Sequence, residues 1–229
     1  MQERYSYKPE NIFSLSDEVI LVTGAAGQLG SCIVNGLIDS NVRVVATDTT
    51  IDILEKSAER WEWNKSKVIL KECDITKRGD IVAAIEEGIA IYGEITTLVA
   101  NAGVSVFEPY LERPEESIDL VMDVNLKGTL LCIQEFIKHR KENEGGGSIV
   151  NIGSHYGLVS PDPRIYTDSD RKNSEIYGAT KAGILQMTRY FAVHAAGYNI
   201  RTNAVSPGGI RNPDNPQGED FQENYNYRC

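Results

Sequence analysis

The sequence is poor in the residues that cross-link small proteins or bind metals. Its 229 residues include only four cysteines and three histidines. The cysteines show no close-paired spacing; they are Cys32, Cys73, Cys132 and Cys229. This pattern predicts neither a disulfide framework nor a zinc-type cluster, so no metal site is expected, and a reduced, cytoplasmic protein is the default expectation.

Long apolar segments and clusters of positive charge are also lacking. No uninterrupted apolar run approaches the ~20 residues that span a bilayer, and residues 1–11 lack the apolar core of a signal peptide. The formal net charge is −10 and no dense stripe of Lys or Arg occurs, whereas nucleic-acid binding depends on clustered cations. We therefore expect a small-molecule substrate as partner, and neither nucleic acid nor membrane.

Short β-branched runs alternate with longer helical patterns along the chain. They predict strands near 19–23, 42–47, 67–71, 96–100, 147–153 and 199–205, and helices near 28–39, 50–61, 77–92, 115–140 and 175–196. This alternation is typical of an α/β protein with a parallel sheet covered by helices on both faces. The length fits one domain, residues 1–229.

Two polar segments interrupt the alternation. Residues 158–174 are rich in Pro, Asp, Arg and Ser, and residues 211–229 are rich in Asn, Pro, Glu and Gln. Both compositions predict polar loops. Because ligands of such sheets bind beyond the carboxyl ends of the strands, the residues that follow each strand are the candidates for a site.

A glycine-rich turn joins the first predicted strand to the first predicted helix. Glycine lets the backbone approach phosphates closely, and the free N–H groups of the following helix supply donors at its positive end. The turn therefore predicts a dinucleotide site. The residues expected to line it are Gly24, Ala26, Gly27, Gln28, Leu29 and Gly30. The alternative is an ordinary strand-to-helix turn that happens to be rich in glycine.

Acidic and small residues follow the next three predicted strands. Asp48 is placed to bind the adenine ribose and to repel a 2′-phosphate, which favours NAD over NADP; the alternative is a helix N-cap. Asp74, next to Ile75, is placed to accept a hydrogen bond from an adenine amino group. The run Asn101, Ala102 and Gly103 lets a cofactor lie close to the backbone. Turn chemistry is the alternative for these two segments.

A tyrosine and a lysine share one face of the last predicted helix. Tyr177 and Lys181 are four residues apart, and a cation beside a phenol lowers its pKa from the ordinary value near 10. Ser154, just after the fifth strand, is placed to bond the substrate oxygen, and Asn125 to tie a water or a backbone group to Lys181. Taken alone, the Tyr–Lys spacing also fits a solvated surface pair.

Together with Ser206-Pro207-Gly208-Gly209, these residues resemble the short-chain dehydrogenase/reductase family from about Asp17 to Gly209. The resemblance implies a three-layer, doubly wound Rossmann fold and hydride transfer between a nicotinamide and an alcohol or ketone carbon. It also implies a homodimer or homotetramer. The residues that it places beside the nicotinamide end of the cofactor are Tyr177, Lys181, Pro207, Gly208 and Ile210.

The resemblance also assigns catalytic roles. It implies that Tyr177 is the acid/base, that Lys181 lowers its pKa and binds the nicotinamide ribose, that Ser154 donates to the substrate oxygen, and that Asn125 anchors a proton relay. Within the family, the chain is most similar to dehydrogenases assigned to flagellin modification and nonulosonic-acid sugar synthesis, which favours a role in carbohydrate biosynthesis.

The spacing between the serine and the tyrosine departs from the family pattern. Ser154 and Tyr177 are 23 residues apart, further than usual, and Tyr166 lies at the more usual distance. Asp170 follows Tyr166 at helical spacing and would oppose phenolate formation. We therefore assign the acid/base role to Tyr177 and interpret residues 158–174 as an inserted flap.

Two further departures concern the glycine turn and the end of the chain. The turn has the Thr-Gly-x-x-Gly-x-x-Gly spacing of the larger epimerase-type branch. No candidate for a last strand follows Pro207, so we expect a sheet that lacks this strand, with residues 211–229 forming a partial substrate loop. These departures keep two alternatives open: an inactive or truncated dinucleotide-binding module that acts through association, and an epimerase-type sugar-nucleotide enzyme.

The substrate prediction rests on the flap. His155 and Tyr156 follow Ser154 and are candidates for the pocket wall. The flap carries charged residues that suit a polar, sugar-like or phosphorylated substrate, with a solvated loop as the alternative. These residues are Asp162, Arg164, Asp168, Arg171 and Lys172. The sequence thus favours an NAD-dependent oxidoreductase that acts on a hydroxyl or carbonyl carbon of such a substrate.

Overall fold

A computed structural model describes residues 14–15, 18–143, 145–167, 173–212 and 218–228. Six strands form one parallel sheet in the order β3-β2-β1-β4-β5-β6. The strands are β1 Val19–Thr23, β2 Arg43–Asp48, β3 Val68–Glu72, β4 Thr97–Ala100, β5 Gly147–Ile152 and β6 Ile200–Val205. The order reverses between β1 and β4, which confirms the doubly wound topology and places the ligand crevice at that point.

Seven α-helices and four shorter helical turns lie in the described part of the chain. The α-helices are α1 Gln28–Asp39, α2 Ile51–Arg60, α3 Arg78–Tyr92, α4 Glu115–Val121, α5 Thr129–Glu142, α6 Glu175–His194 and α7 Glu219–Arg228. A π-helical turn spans Met122–Gly128, and 3-10 turns span His155–Gly157, Pro163–Ile165 and Ala196–Tyr198. None of the described helices has the length and apolar character that crossing a membrane requires.

The sheet is buried on both faces. In β1, Val19 and Leu21 belong to one apolar cluster, which also contains residues of α3 and α5. Ile20 and Val22 belong to a second cluster, with residues of α1 and α2. Since successive strand residues point to opposite faces, helices must cover both sides. The predicted three-layer Rossmann architecture is therefore confirmed.

The helix predicted over 115–140 is not uniform. α4 passes into the π-helical turn Met122–Gly128 before α5 begins. A Cβ at Gly128 would lie 2.7 Å from Ile75 Cδ1, so the turn packs closely against the residues that follow β3. The apolar pattern does not distinguish one widened turn from an α-helix, and such turns often occur at functional sites.

Both segments predicted as polar loops contain ordered structure. α7 occupies much of 211–229, and in the flap Ile165 and Tyr166 are buried. The helix was not predicted because Phe221 and Tyr225, which stack on each other, are too few to form the apolar face by which an amphipathic helix is recognised in a sequence. Residues 168–172 and 213–217 lie outside the described residues.

Cysteines and possible metal ligands are dispersed in the structure. Cys32, Cys73 and Cys132 are free thiols, and Cys229 lies outside the described residues. Over the residues with described positions, no group of three or more His, Cys, Asp or Glu side chains is arranged to hold a metal ion.

Strand β5, which lies between β4 and β6, provides a test of the core assignment. Ile149 is fully buried, so Ile149→Ala should lower the free energy of unfolding by about 2–5 kcal/mol. Urea denaturation at fixed protein concentration measures this loss. The matched control is Ile91→Ala on α3, where the side chain is 58% exposed and a change within about 0.5 kcal/mol is expected. Equal losses in the two variants would contradict the core assignment.

Candidate active site

The carboxyl ends of the strands open into one continuous cleft of about 1350 Å³. It runs from the glycine turn to the start of α6. Every site residue predicted from the sequence except Asn125 lies on its lining. These residues are Gly24, Ala26, Gly27, Gln28, Leu29, Gly30, Asp48, Asp74, Ile75, Asn101, Ala102, Gly103, Ser154, Tyr177, Lys181, Pro207, Gly208 and Ile210.

The glycine turn packs without room for side chains. Gly24 has φ +64°, a conformation that favours glycine, and a Cβ there would lie 2.7 Å from Ala102 Cα. A Cβ at Gly30 would overlap the carbonyl oxygen of Gly24. Gly27 precedes α1 and provides no side-chain cap, so the amides of the first helical turn face the cleft without a capping group. This surface fits a pyrophosphate.

Asp48 is fixed beside the glycine turn. Its Oδ2 accepts a hydrogen bond from the backbone N–H of Ala26 at 3.0 Å, and its Oδ1 accepts one from Thr49 N at 2.8 Å. The residue that precedes α2 is Thr50, so the alternative in which Asp48 is the N-cap of that helix is wrong. The carboxylate is held on the rim of the cleft, which suits a ribose contact.

Asp74 takes part in a local turn as well as lining the cleft. Its Oδ1 accepts hydrogen bonds from Thr76 N at 3.0 Å and Thr76 Oγ1 at 2.7 Å, and Lys77 Nζ lies 3.2 Å from its Oδ2. Burial opposes ionisation, but the hydrogen bonds from Thr76 and Lys77 outweigh it and lower the pKa of the Asp74 carboxyl. Asp74 therefore stays charged at neutral pH.

Asn101 joins the loop after β4 to the glycine turn. Its Nδ2 donates to the carbonyl oxygens of Thr23 and Gly24, both at 2.9 Å, and its backbone N–H donates to Thr23 Oγ1 at 3.1 Å. The side chain is therefore occupied in shaping the wall of the cleft. The small neighbours Ala102 and Gly103 complete that wall.

Tyr177, Lys181 and Ser154 meet at the end of β5. Ser174 caps α6 and accepts from Tyr177 N at 3.2 Å, which places the tyrosine in the first turn of the helix. Lys181 Nζ lies 5.6 Å from the centroid of the Tyr177 ring and donates to Ile152 O at 2.7 Å. The Ser154 side chain lies close enough to the Tyr177 phenol to lower its pKa. The predicted surface-pair alternative is wrong, because Lys181 is only 3% exposed.

Burial dominates the proton affinities of this pair. It raises the pKa of the Tyr177 phenol, against the opposing effect of the Ser154 hydrogen bond, and it lowers the pKa of Lys181 to about 8. The direction for Tyr177 is opposite to the sequence-based expectation, because burial deprives the phenolate of water. At neutral pH the phenol holds its proton and most of the Lys181 amines are charged.

Asn125 lies behind the lining of the cleft rather than on it. It is fully buried in the π-helical turn. Its Oδ1 accepts from Val104 N at 2.8 Å, and its Nδ2 donates to Val104 O at 2.9 Å and to Thr180 Oγ1 at 3.3 Å. Asn125 thus ties the loop after β4 to the residue next to Lys181. Its role in a proton relay stays a prediction.

The structure describes two of the charged flap residues. Arg164 Nη2 pairs with Asp162 Oδ2 at 2.7 Å at the surface, and neither residue lines the cleft. Asp168, Arg171 and Lys172 lie outside the described residues. For Arg164 and Asp162 the structure agrees with the alternative of a solvated loop, because the two side chains pair with each other away from the cleft.

Aromatic and amide side chains line the substrate end instead. Those for which the sequence predicted no role are Phe107, Asn173, Phe221, Gln222 and Tyr225. Tyr166, rejected above as the acid/base, lines this end as well. His155 and Tyr156 also line it, as predicted. The five residues with no predicted role were missed because they come from segments that are far apart in the chain. The sequence feature that could have indicated two of them is the spacing of Phe221 and Tyr225, four residues apart in α7.

Comparisons with known proteins agree with this geometry. Residues 18–222 match the family described as short chain dehydrogenase. An NAD-dependent glycerol dehydrogenase of Listeria innocua is 33% identical over 195 residues, which cover 85% of this chain and 71% of that protein. A 3-oxoacyl-[acyl-carrier-protein] reductase of Thermotoga maritima is 34% identical over 203 residues, covering 87% and 76%.

The fold also matches a solved structure with bound cofactor. The crystal structure of a short chain dehydrogenase from Leptospira borgpetersenii with bound NAD+ is similar with a TM-score of 0.83 and 32% sequence identity. The match covers 99% of this chain and 84% of that chain. Because the family match spans most of the sequence and the cleft has the expected construction, this chain belongs to the short chain dehydrogenase family of nicotinamide-dependent oxidoreductases.

Proposed function

We propose that this chain is an NAD-dependent dehydrogenase or reductase that acts on a hydroxyl or carbonyl carbon of a small, neutral, polyhydroxylated substrate. The observation that carries the proposal is the meeting of Ser154, Tyr177 and Lys181 in the wall of the same cleft that holds the glycine turn and Asp48. One end of the cleft suits a dinucleotide, and the other end offers acid/base groups to a substrate oxygen.

The chain's own residues account for the cofactor site. The amides at the start of α1 receive the pyrophosphate. The fixed carboxylate of Asp48 binds the ribose hydroxyls and repels a 2′-phosphate, which favours NAD. Pro207 and Gly208 line the nicotinamide end. When bound there, the cofactor supplies or accepts the hydride.

Tyr177 is the proposed acid/base. Because burial raises the pKa of its phenol, the residue holds a proton at neutral pH and can give it to a carbonyl oxygen during reduction. Alcohol oxidation requires the phenolate, which is favoured by the charge on Lys181 and by the positive end of α6. A substrate hydroxyl then passes its proton to this oxygen while its carbon loses a hydride.

Ser154 orients the reacting oxygen. Its Oγ accepts from Tyr156 N at 3.1 Å, so its own proton is available for donation to the substrate or to Tyr177. Lys181, held by Ile152 O at 2.7 Å, is placed to bind the nicotinamide ribose. Asn125 acts from behind the cleft by fixing Val104 and Thr180.

The substrate class follows from the lining of the cleft. Among its described residues, the lysines and arginines are Lys181, beside Tyr177, and Arg211, whose carbonyl accepts from Gln28 Nε2 at the glycine turn. A phosphate group at the substrate end therefore lacks a described lysine or arginine partner other than the proposed catalytic Lys181. Hydroxyl and amide groups such as those of Tyr166, Asn173 and Gln222 suit a neutral polyol. The 33% identical relative named for glycerol supports this class.

The test of the proposal is to incubate the protein and NAD, or NADH for keto-sugars, with a panel of substrates and to measure turnover by the absorbance of NADH. The panel contains neutral polyols and keto-sugars. It also contains sugar phosphates and nucleotide sugars, which are negatively charged and are tested as alternative substrates. We expect NAD-dependent turnover, highest with the neutral polyols. Tight NAD binding without turnover on any member would instead favour a dinucleotide-binding module.

In the same assay, Tyr177→Phe should lower kcat about 10²- to 10⁴-fold, because proton transfer to a positioned side chain contributes that factor. NAD affinity, measured by protein fluorescence, should stay close to that of the wild type. The matched control is Tyr198→Phe, on the turn Ala196–Tyr198 outside the cleft, with unchanged kcat. A similar kcat in Tyr177→Phe would rule out the acid/base assignment.

Replacing Asp48 with Ser should shift cofactor preference toward NADP. Removal of the carboxylate abolishes its repulsion of the 2′-phosphate. The measurement is the ratio of kcat/KM for NAD to that for NADP, which we expect to fall at least tenfold. Asp52→Ser, in the first turn of α2 but away from the cleft lining, is the control. An unchanged ratio in Asp48→Ser would refute the ribose contact.

Lys181 should be identifiable by its titration. Burial lowers its pKa to about 8, so it loses its proton at a pH where Lys77, whose hydrogen bond with Asp74 raises its pKa, stays charged. NMR of lysine-labelled protein should show one side chain titrating near pH 8, and Lys181→Met should remove that signal. Lys77→Met should remove a signal that titrates above the ordinary range. A wild-type spectrum without the low-pKa lysine would contradict the burial of this amine.

A further inference from the structure

Two tyrosines meet on the substrate side of the cleft. Tyr156 follows Ser154 by two residues, and Tyr166 belongs to the flap that separates Ser154 from Tyr177. Their hydroxyl oxygens are 3.0 Å apart and hydrogen-bonded, and both side chains line the cleft. Tyr166 is 8% exposed, so its position is set by packing. The proposed chemistry at Tyr177 does not use this phenol pair.

Phe221 of α7 packs against the ring of Tyr166. Its ring centroid lies 5.4 Å from that of Phe221, and Phe221 stacks on Tyr225 at 5.8 Å. The Tyr225 hydroxyl accepts from Gly209 N at 2.6 Å. A Cβ at Gly209 would lie 2.5 Å from two Tyr225 atoms, so a side chain there would displace the Tyr225 phenol. We call Tyr156, Tyr166, Phe221 and Tyr225 the aromatic wall.

The other end of the aromatic wall is fixed to the reacting groups. Tyr156 N donates to Ser154 Oγ at 3.1 Å, and the Tyr156 ring lies 3.8 Å from that of His155. His155 N in turn donates to Pro207 O at 3.0 Å. The backbone of Tyr156 is therefore held beside Ser154, and its ring lies next to His155, which is bonded to the loop that contains Pro207.

The chemistry of the pair matches a particular ligand group. A phenol hydroxyl supplies one donor and accepts hydrogen bonds on its oxygen, so Tyr166 can bind an alcohol as donor or acceptor. Aromatic rings beside it favour C–H surface, and they provide no charge for a carboxylate or a phosphate. The ligand group that fits is a neutral hydroxyl on a short carbon chain.

We propose that the Tyr156–Tyr166 pair binds a second hydroxyl of the substrate, on the carbon next to the reacting one, and thereby makes the enzyme selective for vicinal diols over simple alcohols. Tyr166 is the specificity-determining residue, because the flap brings it to the cleft from outside the Ser–Tyr–Lys site. This inference rests on the proposed oxidoreductase function and specifies its substrate.

The test compares two alcohols that differ by one hydroxyl, butane-2,3-diol and butan-2-ol, each oxidised with NAD. The measured quantity is the ratio of kcat/KM for the diol to that for the simple alcohol. We expect the wild type to favour the diol and Tyr166→Phe to lower the ratio about tenfold, the effect of one lost hydrogen bond. Tyr166→Phe keeps the ring against Phe221, so packing is preserved.

Two further variants make the result specific. Tyr156→Phe, which removes the partner hydroxyl, should also lower the ratio. The matched control Tyr198→Phe removes a phenol hydroxyl outside the cleft and should leave the ratio at its wild-type value. NAD affinity, measured for each protein, identifies any variant whose defect lies in cofactor binding.

The outcomes separate this inference from the proposed function. Equal losses on both alcohols in Tyr166→Phe, which leave the ratio unchanged, would overturn the selectivity role. So would wild-type turnover of both alcohols without preference for the diol, and in both cases the oxidoreductase function would stand. Absence of NAD-dependent turnover with these alcohols and with the whole polyol panel would overturn both.

Discussion

The close approach of the glycine turn to the loop after β4 is the constraint on which the site depends. A side chain at Gly24 or Gly30 would overlap neighbouring backbone, and Asn101 Nδ2 bonds the carbonyl oxygens of Thr23 and Gly24 at 2.9 Å. This contact joins β1 to β4, where the strand order reverses. The crevice that opens there leaves the start of α1 uncovered for an anion on one side and leads to the start of α6 on the other.

The burial of Lys181 in this site lowers the stability of the folded protein. The pKa of Lys181 falls from 10.5 to about 8 because its ammonium is withdrawn from water, with Ile152 O as its hydrogen-bond acceptor at 2.7 Å. Since the unfolded chain binds this proton more tightly, the residue destabilises the fold below about pH 8. This loss of folding free energy becomes smaller as the pH rises from about 8 toward 10.5, the pKa of the lysine in the unfolded chain. A buried cation that lowers stability is the kind of local conflict that occurs at functional sites.

The sequence predicted the features that local pattern and motif spacing determine. Strand and helix bounds agree within two residues because each element has its own periodicity, and the Tyr177–Lys181 spacing correctly put both residues on one helix face. The π-helical turn around Asn125 was missed because it barely alters the apolar pattern. The contact of α7 with Tyr166 was missed because it joins distant segments. The Tyr156–Tyr166 contact was missed because no single helix or strand connects the two residues. The pKa of Tyr177 was misjudged because burial is a tertiary property.

The unusual distance between Ser154 and Tyr177 has a structural explanation. The start of α6 is fixed through two neighbouring residues. Ser174, the last residue of the flap, caps the helix. Arg113, from the segment before α4, pairs with Glu175 at 2.8 Å and with Glu108 at 2.6 Å. With the start of α6 fixed in this way, Tyr166 reaches the cleft from the flap without displacing Tyr177 from Ser154. Tyr177 is therefore held at the start of α6 by contacts that do not include Tyr166, so the proposed selectivity of Tyr166 is separate from the proposed chemistry at Tyr177.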